Sequence, residues 1–244
     1  MVFSESFLET WNPLIRFGCA VHDRVSGFLL KYLKQVRIGL LVVAHLSLLG
    51  LLVPDAAQSF GSLARDVLLV IMLSSPMAKL FRMKLLYQIV GLRRELGILF
   101  GYLGIVHGLG FMLDPQWSAI FIVPFAADPL AILPRYLFGI FALILTLPLL
   151  ITSNNLSLKI LKGNWKRLHW LTYPMFAFVL LHTFLPGQPG ASREIAGWTM
   201  FILAFGGYVL LKMLARNNFL APLREINEHV GRQYREYGRK KIER

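Results

Sequence analysis

Six histidines are the only plentiful soft ligands in this chain of 244 residues. Its single cysteine, Cys19, rules out an internal disulfide, a CxxCH haem attachment and a Cys-ligated zinc or iron–sulfur centre. His22 and His229 lie in polar flanks, His45, His107 and His182 lie inside apolar runs, and His169 begins one. An ionisable group inside a membrane is expensive and marks function by default; the alternative is a neutral imidazole donating to a carbonyl on a neighbouring helix. Depth favours the first reading. His107 follows Arg94 by 13 residues and His182 follows His169 by 13, which at the helical rise puts both about 20 Å deeper than those starting points. Two neutral imidazoles at matched depth on parallel helices are what a bis-His b-type haem takes, one axial nitrogen from each. Zinc needs two further ligands, and a proton relay needs carboxylates, of which neither helix holds any beyond Glu95 at its inner edge. Thirteen residues also leave His169 and His182 roughly 140° apart around an ideal helix. Pro174, between them, can bend that turn.

The elements that must position these residues are membrane helices. The chain is 56% hydrophobic and 16% charged, with a mean hydropathy of +0.57, too apolar for an ordinary soluble domain. Apolar stretches fall at 38–54, 64–80, 95–113, 133–152, 168–186 and 195–214. At about 20 residues per span, these predict an all-α bundle of six transmembrane helices and leave no room for a separate soluble catalytic domain. The 26 Lys and Arg against 13 Asp and Glu are distributed by side. Placing the N-terminus in the cytoplasm leaves only Arg65, Arg135 and Arg193 outside, so the positive-inside rule predicts both termini cytoplasmic. The excess of cations therefore reports orientation in a multi-pass inner-membrane protein, not binding to nucleic acid.

Three parts follow: an amphipathic, membrane-surface segment at 1–36, the six-helix domain at 37–214 and a basic cytoplasmic tail at 215–244. The opening residues do not read as a cleaved signal peptide, because Glu5, Glu9, Asn12 and Pro13 interrupt any apolar core. The stretch from Asp114 to Leu133, rich in aromatics and proline, reads as an outer interfacial loop or a re-entrant piece.

Local sequence adds a resemblance. Trp165, Lys166, Arg167, Leu168, His169, then Tyr173, then Leu181 and His182 resemble the W-x-x-L-H-x-x-x-Y … H signature of the ferric-reductase-like transmembrane domain family. The similarity is greatest to its branch of haem-binding subunits serving periplasmic methionine sulfoxide reductases. Thr152–Ser153 ending the fourth stretch, Ser75–Pro76 ending the second, and Arg93, Arg94, Leu96 and Gly97 leading to His107 match in order. The resemblance implies one or two b-type haems in a six-helix bundle, with His107 and His182 on an outer haem and His169 on the inner side. Tyr173 and Trp165 would flank a porphyrin, although Trp165 also reads as an interfacial anchor. Arg93 and Arg94 stand where the wider ferric reductase and NADPH oxidase pattern has a second histidine, which leaves an inner haem absent or unusually ligated. Both arginines could pair haem propionates or simply mark the cytoplasmic side. His45 has no partner by depth and reads as a packing or quinone-site histidine.

No GxGxxG, Walker or flavin motif is present, so no autonomous active site is legible. The leading reading is an electron-transfer subunit that takes electrons from a cytoplasmic flavoprotein or membrane quinol and passes them to an extracytoplasmic redox partner. The other is a structural or assembly subunit with the same fold and reduced or no haem.

Overall fold

The computed structural model describes residues 21–53, 56–113, 134–185 and 191–217. The first twenty residues, the Asp114–Leu133 loop and the tail from 218 onward lie outside the described residues, and with them most of the proposed terminal segments. Among the described residues every regular element is helical.

Residues 21–31 form a helix that runs on, past Tyr32, into α1 (Leu33–Leu46), continued by a 3-10 segment, Ser47–Leu52. The expected span began at 38, but the helix admits Arg37 because its guanidinium reaches the Gly91 carbonyl at 3.1 Å and lies 4.0 Å from the buried Glu95 carboxylate. A long stem can lie along apolar surface while its head finds polar partners. Helix α2 (Ala56–Phe81) starts eight residues before the apolar run, since Gln58, Ser59, Ser62, Arg65 and Asp66 lower hydropathy without breaking a helix. It ends at Arg82, held at φ 51°, after which α3 (Lys84–Gly91) leads to α4 (Arg93–Leu113). Gln88 of α3 donates to the carbonyl and hydroxyl of Ser26, which docks the 21–31 helix at this end.

Helix α5 (Pro134–Ile151) is followed by α6 (Asn155–Leu161) at an 89° bend. The Asn154 side chain caps α6 by accepting from the Ser157 N–H at 2.7 Å. Next come α7 (Gly163–Leu168), a 3-10 turn (His169–Leu171) and α8 (Thr172–Phe184). The fifth apolar stretch is thus not one helix: the regular part begins at Thr172 with Pro174 in its first turn, where a missing N–H costs nothing. The last element is α9 (Ala191–Arg216).

Three segments, Leu33–Leu52, Arg93–Leu113 and Ile195–Arg216, are long and apolar enough to cross a membrane, and the bent pair Tyr136–Ile151 with Asn155–Leu161 makes a fourth if counted as one span. The chain is an integral membrane protein, all-helical among the described residues. Helix α4 lies against α1, α2 and α5, and α8 lies against α5 and α9. Leu68, Leu103, Val106, Met175, Phe176 and Leu180 fill the centre, all below 2% exposed. Lipid is as apolar as these side chains, so their contribution is close packing more than removal from water.

Candidate functional site

At one end of the bundle, α4 and α8 bring His107 and His182 together. Their ring centroids are 5.8 Å apart and the ring planes meet at 64°. His107 Nδ1 lies 2.8 Å from the Ala57 carbonyl in the first turn of α2. A carbonyl only accepts, so Nδ1 carries the proton and Nε2 keeps its lone pair. Phe111, one turn on, meets the His107 ring edge-on at 5.0 Å.

At the other end a cavity of about 540 Å³ is lined by Arg93, Arg94, Lys166, His169, Trp165 and Tyr173, among others. Since α4 runs from this cavity to His107 and α8 from it to His182, the two helices are parallel as the depth argument required. The densest part of the core, with Leu103, Phe176 and Leu180, separates the two levels.

The inner cavity is organised by the turn after α5. The Thr152 carbonyl accepts from Trp165 Nε1 at 2.9 Å, and Thr152 Oγ1 lies 3.4 Å from His169 Nε2. The Trp165 indole stacks on the His169 imidazole, with centroids 3.9 Å apart. Trp165 is therefore a brace for His169, a role neither sequence reading assigned to it. Arg94 is committed to the same turn, donating to Asn155 Oδ1 at 2.6 Å and to the Ser153 carbonyl at 3.3 Å. Arg93 Nη2 donates to the Ile71 carbonyl at 2.9 Å, one turn before Pro76 interrupts the α2 ladder, whereas the buried Arg93 Nε has no partner. Lys212 of α9 caps the Tyr173 ring at 3.8 Å, with Tyr208 on the same side. Among the described residues no acidic side chain lines the cavity. Cations, aromatic faces and a spare buried N–H suit an anionic, flat aromatic ligand.

His45 joins neither group. It is exposed, Nδ1 lies 2.7 Å from the Leu41 carbonyl of its own helix, and its ring packs 4.9 Å from Tyr102. The sequence reading also passed over Gly61 and Gly139, which lie against the outer imidazoles. A glycine inside an apolar helix gives no individual signal, and only the pairing of helices exposes what it does.

His107 and His182, two imidazoles 5.8 Å apart on neighbouring helices, are the donor pair that would hold a b-type haem. Among the described residues no three His, Cys, Asp or Glu side chains gather as a metal-binding group. An axial pair alone fits haem, whose porphyrin completes the coordination.

A family model described as ferric reductase like transmembrane component matches residues 60–180. It takes in Arg93, Arg94, His107, His169 and Tyr173, and stops two residues short of His182. The chain is 36% identical over 90 residues to the protein-methionine-sulfoxide reductase heme-binding subunit MsrQ of Rhizobium meliloti (strain 1021), over 37% of this chain and 40% of that one. To the MsrQ of Agrobacterium fabrum it is 26% identical over 176 residues, 70% of this chain and 78% of the relative. To the magnetosome protein MamZ of Magnetospirillum gryphiswaldense it is 33% identical over 127 residues, 48% of this chain and 19% of that protein. The chain thus matches less than half the length of the first relative and about a fifth of the magnetosome protein. No solved structure matches the chain.

Proposed function

We propose, for a chain whose residues 60–180 belong to the ferric reductase like transmembrane component family, that it is a b-type haem subunit relaying electrons outward across a bacterial inner membrane. The observation that carries this is the approach of His107 and His182 to 5.8 Å across two parallel helices. Two of the similar proteins are named as heme-binding subunits of a methionine sulfoxide reductase, which supports a periplasmic reductase as acceptor; the donor is a cytoplasmic flavoprotein or a membrane quinol. The bundle has six spans with both termini cytoplasmic: residues 1–36 lie at the inner surface, 37–214 cross the bilayer and 215–244 form a basic tail.

The haem supplies one-electron chemistry when bound. What the chain supplies is placement. His107 and His182 each offer one nitrogen, and the Ala57 carbonyl fixes the His107 tautomer and ring, as outer partners of metal-bound histidines do. The packed core between the levels excludes water. On the inner side Arg93 holds a spare N–H toward an anionic group, Tyr173 presents a ring face, Arg94 fixes the turn that seats His169, and no histidine opposes His169 from α4.

The reduced-minus-oxidised absorption spectrum of the purified chain tests the reading. A bis-His haem spectrum is expected, and it is lost in His107→Ala and in His182→Ala. Its full retention in both variants refutes the ligand assignment, and a haem-free wild type leaves the assembly-subunit reading.

A further inference from the structure

We propose that Gly61 and Gly139 are paired seats for the two imidazoles: two helices present bare backbone to the backs of the rings, which fixes the ring spacing and the angle between the ring planes. The inference rests on the haem reading above and goes beyond it in naming positioning residues that touch neither iron nor substrate.

A Cβ built on Gly61 of α2 would lie 2.5 Å from His107 Nδ1, 2.6 Å from Cε1 and 2.9 Å from Cγ. One built on Gly139 of α5 would lie 2.7 Å from His182 Nδ1, 2.9 Å from Cε1 and 3.3 Å from Cγ. In both cases the three distances place the Cβ over the ring face beside the Nδ1–Cε1 bond, so each glycine sets how far away and at what tilt its ring lies. Carbon contacts settle near 3.5–4.0 Å, so a methyl group at either position drives its ring off by about 1 Å. His107 cannot yield that distance and keep its bond to Ala57, whose carbonyl lies one turn before Gly61 on the same helix. With the two rings already at 5.8 Å, a ring pushed off its glycine changes the spacing and angle of the donor pair directly.

The pair differs from the other glycines of the bundle in what it meets. At Gly97, Gly104, Gly206 and Gly207 an added Cβ meets nothing within 4 Å, at Gly101 and Gly108 it meets the movable ends of Leu150 and Leu143, and at Gly50, Gly110 and Gly197 the close neighbours are the Phe60 ring, Ala57 Cβ and the Phe184 carbonyl, so what sets the pair apart is the neighbour and not the closeness. Among the described glycines only Gly61 and Gly139 abut a histidine. Glycine inside a helix is unfavourable relative to alanine, so each seat is kept at a cost to its helix.

The test uses the full chain in detergent with Gly61→Ala, Gly139→Ala and, as control, Gly207→Ala. The readouts are the ferric low-spin EPR spectrum, which follows the angle between axial ring planes, and the rate of haem loss to a scavenging apoprotein. Each seat variant is expected to shift the EPR g-values and lose haem at least about tenfold faster, the lower end of what partners of metal-bound histidines contribute; the control does neither. A second arm separates seating from misfolding. In a His107→Gly background, free imidazole binds without a tether, so adding Gly61→Ala should leave imidazole rescue of the low-spin spectrum unchanged. Wild-type haem with unaltered seat variants overturns the proposal alone, as does a Gly61→Ala defect of equal size in the His107→Gly background. A wild type without haem overturns the parent reading and this one together.

Discussion

Replacing Trp165 separates two contacts that meet on His169. In Trp165→Phe a ring still covers the imidazole, but the 2.9 Å bond from Nε1 to the Thr152 carbonyl is gone. A net hydrogen bond contributes about 1 kcal/mol. For a chain of this length each kcal/mol moves the melting temperature by about 2–4 °C, so Trp165→Phe should lower it by about 2–4 °C. Trp165→Ala removes the bond, the stacking at 3.9 Å, worth about another 1 kcal/mol, and part of the packing of a half-buried ring. The total is about 3 kcal/mol, or roughly 6–12 °C. Thermal unfolding in detergent, followed by circular dichroism, measures both. If the two variants melt alike within a degree, the stack on His169 contributes nothing; if neither differs from wild type, Trp165 is only an interfacial anchor.

Lys162, between α6 and α7, holds φ 47° and ψ −122°, a conformation that suits glycine; Lys162→Gly should relieve about 2 kcal/mol of strain against about 1 kcal/mol of added chain entropy and raise the melting temperature by about 2–4 °C, and a fall contradicts the strain. Topology reporters fused at Gln188 and at the C-terminus should report opposite sides of the membrane, and agreement between them overturns the six-span arrangement.

Some of this was legible in the sequence, for identifiable reasons. Helical rise is nearly invariant, so equal spacing from Arg94 to His107 and from His169 to His182 was enough to bring the two outer imidazoles to one level. Rotation about the axis is not invariant. The 3-10 turn at His169–Leu171 changes which way His169 points, and its apolar neighbours Leu168, Trp170 and Leu171 give no sign of it. Hydropathy misplaced the start of α2 because Gln58, Ser59 and Ser62 lower a window average over 56–63 without breaking the helix. The role of Thr152 was foreshadowed only as part of a family pattern. Its two bonds depend on the 89° bend after α5, which no local preference announces.

That bend also divides the inner cavity into walls of unequal durability. On one side stand α2 and α4, 26 and 21 residues long, whose backbone ladders support themselves over many turns. On the other stand α7 and a three-residue turn, of 6 and 3 residues, which α6, of 7, leads into from the bend; each is shorter than the dozen or so needed for a helix to persist alone. These pieces hold only through contacts such as Trp165 with Thr152 and Arg94 with Asn155. Local opening follows the weakest cooperative unit, so the wall from 163 to 171 parts at a lower free energy than the long helices opposite. A bulky ligand can then enter from the side of the basic loops after the long helices have assembled, without separating α2 from α4.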